Sequence, residues 1–280
     1  GKSTRFVLMG AGIHLCTMAR LLIEYGFPKP VILTYPKERH QRDRLLLKTT
    51  GLYEYVFDFA KECDIEIIES PTVNREALVK NLLGMGCTAA FSLSCRSIIK
   101  KPFLDAFDDR VFNIHPSMLP AERGGGLFSW RILRGETHVA ATIHLVDEGI
   151  DSGPVIDQHL RNLVCDRPTP RDFLIETNKV YAELLEKFVD VIRKDAALQL
   201  QPQDGAASSY LPRLFTEVNG AIDWTWSVTE LDRFIRAFSD PYPGAFTFVR
   251  GRRISILDAV PELSVGGGHP FIAGRVTQVF

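Results

Sequence analysis

The stretch that decides the fold is Phe112-Asn113-Ile114-His115-Pro116-Ser117-Met118-Leu119-Pro120-Ala121-Glu122-Arg123-Gly124-Gly125-Gly126. Its first residues continue an apolar run and predict the end of a β-strand, in which alternate side chains share one face. Asn113 and His115 should therefore project the same way, whereas Pro116 and Pro120 exclude a helix through the following turn. An amide and an imidazole presented together where a strand ends indicate a candidate reaction site.

A second polar stretch is Asp147-Glu148-Gly149-Ile150-Asp151-Ser152-Gly153-Pro154. It follows residues 140–146, whose apolar and β-branched side chains predict another strand. The loop is short, acidic and punctuated by glycine. It therefore supplies carboxylates at the end of a strand, as a partner for the imidazole of His115.

These two stretches at this spacing resemble the folate-dependent formyltransferase superfamily, which includes the glycinamide ribonucleotide, methionyl-tRNA and amino-sugar formyltransferases. The likeness extends to a Ser-x-Leu-Pro-x-x-Arg-Gly pattern, matched here by Ser117, Leu119, Pro120, Arg123 and Gly124. The resemblance implies that Asn113, His115 and Asp151 form a catalytic trio.

The chemistry of formyl transfer suits these three residue types. An Asn amide donates to a developing oxyanion without titrating, which assigns that task to Asn113. A histidine titrates near neutral pH, so His115 would handle the proton of the amine or stabilise charge. A neighbouring carboxylate fixes the orientation of an imidazole, which is the role expected of Asp151.

The order of predicted elements indicates an α/β fold, namely a doubly wound, mostly parallel, Rossmann-like sheet with a small β-rich C-terminal module. We expect a catalytic domain at residues 1–195 and a linker at 196–210, where polar residues, Gly and Pro cluster. A small β-rich domain should follow at 211–280, with a hairpin turning at Arg250-Gly251. Residues 211–249 also resemble the methionyl-tRNA and amino-sugar branches, which carry such an appendage.

The loop after the predicted strand at 88–93 should line the site, because ligands bind beyond the carboxyl ends of strands in open α/β sheets. The resemblance implies 10-formyltetrahydrofolate as co-substrate, with its pterin bound by main-chain groups of Ser97, Ile98 and Ile99. Asp147 and Ile150 in the acidic loop are further candidate contacts to this co-substrate.

Two other kinds of site are considered. His138, His144 and His159 share no metal-ligand spacing, so we expect no metal and assign them structural roles. The run Gly10-Ala11-Gly12 begins like a dinucleotide fingerprint, but Leu15 replaces its third glycine. An NAD-dependent oxidoreductase is therefore the more remote alternative.

The composition bears on nucleic-acid binding, on the oxidation state of the cysteines and on membrane insertion. The net charge is −1 and the pI is about 6.7, so no overall basic field attracts nucleic acid. Five scattered cysteines indicate reduced thiols of a cytoplasmic protein. No apolar stretch is long enough to predict a membrane span.

The acceptor amine is assigned from the charged loop at residues 36–44. Lys37, Arg39 and Arg42 there, together with Arg123, are candidate substrate-binding residues that would contact phosphate or pyrophosphate; the alternative is a solvated helix start. Related tRNA enzymes usually carry a longer, glycine- and lysine-rich loop, whereas this one is short and diluted by acids. The favoured substrate is therefore a nucleotide-linked amino sugar, with methionyl-tRNA as the alternative. Monomer and oligomer stay open.

Overall fold

The computed structural model describes residues 3–261. Its main sheet contains β1 (Arg5–Gly10), β2 (Val31–Thr34), β3 (Ile67–Glu69), β4 (Cys87–Leu93), β5 (Val111–His115), β7 (His138–Leu145) and β8 (Val155–Asn162). Four other strands pair outside it, namely β6 (Arg123–Gly124) with β9 (Tyr210–Leu211) and β10 (Ala245–Val249) with β11 (Arg252–Ile256). The predicted α/β class is confirmed.

The helices alternate with the strands through most of the chain. They are α1 (Ile13–Glu24), α2 (Gln41–Leu47), α3 (Val56–Glu62), α4 (Glu76–Gly84), α5 (Lys101–Ala106), α6 (Leu127–Arg134), α7 (Pro170–Arg193), α8 (Thr216–Asn219) and α9 (Val228–Ala237). Part of the charged loop considered as a substrate contact is thus the start of α2. A helix start does not prevent a contact to phosphate, because Arg42 is exposed on that helix.

The strand order of the main sheet is β3-β2-β1-β4-β5-β7-β8. Pairing is parallel from β3 through β5 and antiparallel where β5 meets β7 and β7 meets β8. The central strands are apolar along their length because both faces of a parallel sheet are covered. The direction of winding reverses between β1 and β4, so the crevice for a ligand is expected at their carboxyl ends.

Gly10 allows β1 and β4 to approach closely at this reversal. Its φ is +128°, and a Cβ added there would lie 2.0 Å from the carbonyl oxygen of Leu93. The N–H of Ala11 donates to the same oxygen over 3.2 Å. Packing of the backbone therefore explains this glycine without a bound dinucleotide.

Aromatic side chains fill the core beside β5. The ring of Phe112 lies 5.1 Å from that of Phe188 on α7, and the ring of Phe91 on β4 lies 5.3 Å from Phe188. All three are buried. This packing anchors β5 at the residue that directly precedes Asn113.

The hairpin predicted in the C-terminal region is confirmed. Phe246 pairs with Ser255 and Val249 with Arg252 in an antiparallel register. Arg250 and Gly251 have φ values of +52° and +75°, the left-handed pair that a two-residue hairpin of this hand requires.

Within the described range the chain forms two compact units. The first takes residues 3–124, 138–162 and 175–211, and the second takes 125–137, 163–174 and 212–261. Residues 196–210, expected as a linker, belong to the first unit. The division at 195 and 211 into separately folding domains stays a prediction, and residues 1–2 and 262–280 lie outside the described residues.

Two general properties complete the fold. Across residues 3–261, no helix combines the length and apolar composition needed to cross a bilayer. All five cysteines are free thiols.

Candidate active site

Asn113 and His115 stand at the carboxyl end of β5, in the first compact unit. Asn113 is half-buried and His115 is buried. The alternation along the strand places them on one face, as predicted. Pro116 follows directly, and the chain then turns through a loop to β6.

Asp151 reaches the same place from the loop that joins β7 to β8. A Cβ on Gly153 would lie 1.9 Å from the carbonyl oxygen of Leu145, so the loop folds back tightly against the end of β7. Asp151 itself has φ of +51°, an uncommon conformation for a residue other than glycine. Its Oδ2 accepts a hydrogen bond from the N–H of Gly124 at 3.0 Å.

The structure brings the three predicted catalytic side chains together. Nδ1 of His115 lies 3.4 Å from Oδ2 of Asp151, and Nδ2 of Asn113 lies 3.5 Å from Oδ1 of the same carboxylate. The Asp151 side chain is 16% exposed and that of His115 is 5% exposed. The carboxylate is thus the member of the pair that solvent reaches more readily.

Both nitrogens of His115 face oxygen acceptors. Nε2 lies 2.8 Å from the carbonyl oxygen of Glu122, opposite the carboxylate of Asp151 at Nδ1. A neutral imidazole has only one N–H, whereas the imidazolium donates from both nitrogens. The ring therefore donates from Nε2 to the carbonyl oxygen of Glu122, and its Nδ1 faces the carboxylate of Asp151.

His144 is a site residue that the sequence analysis did not recognise. It is paired with Asn113 across β5 and β7, and its Nε2 lies 3.0 Å from Nδ2 of Asn113. Its Nδ1 donates to the carbonyl oxygen of Leu145 at 2.7 Å. Burial lowers the pKa of His144 below its usual 6.5, so the ring is neutral and Nε2 accepts from Asn113. Only the register between the two strands reveals this contact.

The loop expected to bind the pterin is held in place by Asn74. Its Nδ2 donates to the carbonyl oxygen of Ile98 at 2.8 Å, and its Oδ1 accepts from the N–H of Lys100 at 2.9 Å. The side chain of Ile98 is 74% exposed, while Ile99 is buried in the cluster against which Val146 also packs. The loop containing Ser97, Ile98 and Ile99 thus shares a hydrophobic cluster with Val146, the residue before the acidic loop.

The two other predicted folate contacts differ in their surroundings. Oδ1 of Asp147 accepts from Oγ of Ser152 at 2.7 Å and from the N–H of Gly149 at 3.1 Å, which closes the loop. Ile150 is 53% exposed. In this structure Asp147 shapes the loop, while Ile150 offers an apolar surface.

Three of the four predicted substrate-binding residues lie on one segment, at positions 37, 39 and 42, and the fourth, Arg123, lies on β6. Nζ of Lys37 lies 3.9 Å from the carboxylate of Glu69. Arg39 lines a small pocket at the winding reversal together with Gly10, Arg96 and Ser97. Arg42 is exposed on α2, and Arg123 donates to the side chain of Gln203.

Comparisons with known proteins agree with this architecture. Residues 8–169 match the family described as formyl transferase, and residues 215–280 match the formyl transferase C-terminal domain. A methionyl-tRNA formyltransferase of Syntrophus aciditrophicus (strain SB) is 27% identical over 275 residues, covering 97% of this chain and 84% of that protein.

Solved structures share the fold. WlaRD, a sugar 3N-formyl transferase crystallised in the presence of dTDP and 5-N-formyl-THF, superposes with a TM-score of 0.66 at 23% identity, covering 85% of this chain and 80% of that one. An N-formyltransferase from Helicobacter canadensis in complex with folinic acid and dTDP-3-aminofucose gives a TM-score of 0.65 at 19% identity, covering 89% and 85%.

Proposed function

Since this chain belongs to the formyl transferase family, we propose that it moves a formyl group from 10-formyltetrahydrofolate to the primary amine of a nucleotide-linked amino sugar. The observation that carries the proposal is that Asn113 and His115, at the end of β5, both face the carboxylate of Asp151 in the loop after β7. Membership of this enzyme family sets aside the nicotinamide alternative.

The trio suits the proton and charge movements of the reaction. The amine nitrogen bonds to the formyl carbon, negative charge develops on the formyl oxygen, and the bond from that carbon to N10 of the folate breaks. The amine loses a proton and N10 gains one, so no net proton is consumed. The products are the formamide and tetrahydrofolate.

His115 and Asp151 are proposed to act on different charges, the oxyanion and the amine proton respectively. We infer that His115, when protonated, stabilises the developing oxyanion, as a fixed cation does in a water-poor site. Its 3.4 Å contact to Asp151 is long, which leaves room for that donor to shift toward a substrate oxygen. The carboxylate of Asp151 accepts the proton of the amine.

The oxyanion role expected of Asn113 from sequence stays a prediction, and the contacts of its amide nitrogen support a second role. Its amide nitrogen is directed at His144 and Asp151, so the amide oxygen is the group turned toward a ligand. We infer that this oxygen accepts a hydrogen bond from the attacking amine and orients it. An Asn amide in such a position orients the reacting group, and loss of that orientation lowers the rate by up to about 100-fold.

The pterin of the co-substrate fits the surface beside the trio. The exposed side chains of Ile98 and Ile150 are the proposed apolar contacts for this flat ring. We propose that main-chain groups of Ser97, Ile98 and Ile99 recognise its polar edge. Asp147 contributes by holding the second loop.

The charge of the loop at residues 36–44 favours an amino-sugar acceptor over tRNA. Binding of tRNA demands clusters of Lys and Arg that neutralise phosphates. Here one cation of the charged loop already faces an acid, because Nζ of Lys37 lies 3.9 Å from the carboxylate of Glu69. Arg39 in its pocket, Arg42 on α2 and Arg123 are the proposed contacts to a diphosphate, which needs few cations.

Methionyl-tRNA formyltransferase is the second candidate. It is supported by the 27% identity to the Syntrophus aciditrophicus protein along nearly the whole chain. The solved sugar enzymes share the fold and do not decide between the two acceptors. The cytoplasmic location expected from the reduced cysteines suits both functions.

One experiment separates the two acceptors. The purified protein is incubated with 10-formyltetrahydrofolate and, in parallel, with dTDP- and UDP-linked amino sugars or methionyl-initiator tRNA. Mass spectrometry then measures the gain of one formyl group. We expect the gain on a nucleotide sugar, whereas formylation of the tRNA alone would contradict the proposed substrate.

A further inference from the structure

Gln203 lies in the segment that the sequence analysis assigned to a linker, and its side chain contacts the loop of Asp151. Its Nε2 donates to the carbonyl oxygens of Asp151, at 2.9 Å, and Gly153, at 2.7 Å. An amide group has two N–H donors, so one side chain fastens the backbone on both sides of Ser152. These contacts lie within the first compact unit.

Arg123 fixes which way the Gln203 amide faces. Its Nε and a terminal nitrogen lie 3.2 and 2.7 Å from Oε1 of Gln203. A guanidinium is only a donor, so the amide oxygen must face Arg123 and the amide nitrogen must face the two carbonyls. The orientation of Gln203 is therefore determined by its partners.

Asp151 needs such a contact because its backbone is strained. A left-handed φ of +51° is unfavourable for a residue with a Cβ unless its surroundings hold it. Gly124, the neighbour of Arg123, holds the carboxylate through its N–H at 3.0 Å. Arg123 and Gly124 are themselves held by β9, through the pairing of Arg123 with Tyr210. The segment at 201–211 thus supports both the backbone and the side chain of Asp151.

We propose that Gln203 is a positioning residue, which keeps Asp151 in the conformation that places its carboxylate beside His115. Arg123 acts through Gln203 by orienting the amide. This inference rests on the proposed function, because it assigns Gln203 to the same reacting carboxylate. Removal of the amide donors should release the loop at 147–153 and displace the carboxylate.

The test compares Gln203→Glu and Gln203→Ala with Gln201→Ala. Gln203→Glu keeps the shape and the acceptor for Arg123 but removes both donors to the carbonyls. Gln201 is exposed two positions away, and it pairs with Val155 through its backbone, so its alanine variant is the matched control. Two measurements are made on each full-length variant: amide hydrogen exchange of residues 147–153, and kcat and KM for formyl transfer.

We expect exchange at 147–153 to rise at least tenfold in both Gln203 variants and to stay unchanged in Gln201→Ala. The value of kcat should fall about 10- to 100-fold, as it does when a supporting contact of a reactive group is lost. In the background of Asp151→Asn, Gln203→Glu should lower kcat by less than about threefold, because the two residues act as one unit.

Different results would contradict the positioning role and the proposed function. Wild-type exchange and kcat in Gln203→Glu would overturn the positioning role, as would a fall in kcat with unchanged exchange. An additive loss in the Asp151→Asn background would also overturn it. Absence of formyl transfer by the wild-type protein would instead contradict the proposed function, while the exchange measurement would still decide whether Gln203 holds the loop.

Discussion

The amide nitrogen of Asn113 lies 3.0 Å from Nε2 of His144, the residue that faces it across β5 and β7. His144 in turn donates from Nδ1 to the carbonyl oxygen of Leu145. With its proton on Nδ1, the neutral ring can only accept at Nε2. His144 therefore determines which way the amide of Asn113 faces.

Replacement of His144 tests this relationship. His144→Phe keeps a ring of similar size but removes the acceptor, so the amide of Asn113 is free to turn over. We expect kcat for formyl transfer to fall about 10- to 100-fold. His159→Phe, which alters a more exposed histidine on β8, should leave kcat within about twofold. Full activity of His144→Phe would show that Asn113 does not depend on this contact.

Replacement of Gly10 tests whether close backbone packing explains the glycine at this position. In Gly10→Ala the new Cβ would meet the carbonyl of Leu93, so we expect a loss of about 3 kcal/mol or more in the free energy of unfolding. Gly12→Ala is the control, because its φ is +82° but no atom lies within 4 Å of the added Cβ. Only the strain of about 1 kcal/mol is expected there. Urea unfolding measures both, and equal losses would contradict the role of close packing.

His14 should make the stability depend on pH. Burial lowers its pKa to about 4, from 6.5 in the unfolded chain, and its ring lies 4.5 Å from that of Tyr181. Above pH 6.5 the residue is neutral in both states. As the pH falls from 6.5 toward 4, the unfolded state binds a proton that the folded state does not, so stability falls.

The size of this effect can be measured by urea unfolding at pH 7.5 and pH 5.0. Because the ring is only half-buried, we expect His14 to contribute about 1 to 2 kcal/mol to the loss of stability between these values. His14→Phe keeps the ring contact and should reduce the pH dependence by that amount. An unchanged dependence would show that the folded protein protonates His14 readily.

The parts of the fold that follow local patterns were predictable from sequence. Apolar runs predicted the buried strands around Phe91 and Phe112, whereas the meeting of Asn113, His115 and Asp151 was implied by the resemblance to the formyltransferases. The hairpin at Arg250 and Gly251 followed from turn chemistry. The strands and the hairpin depend on short windows of sequence, where periodicity and turn residues carry the information.

The parts that depend on pairing between distant segments were not predictable. His144 faces Asn113 only because of the antiparallel register of β5 and β7, which a single strand pattern does not specify. Gln203 lies in a polar stretch typical of a linker, and its contacts depend on the path of that stretch past Arg123. The role of the Asn113 amide depends on the proton position in His144, a property of the folded site.

The replacement of Asp151 by Asn tests the central claim most directly. Single-turnover formyl transfer is measured for the wild type and Asp151→Asn with the acceptor that the wild type formylates, and folinic acid binding is measured by calorimetry. In the proposed reaction the carboxylate, which faces His115, takes the proton of the amine, so we expect the rate to fall about 1,000-fold while the Kd for folinic acid changes less than about threefold. A rate within about tenfold of the wild type would contradict a reaction centred on Asn113, His115 and Asp151.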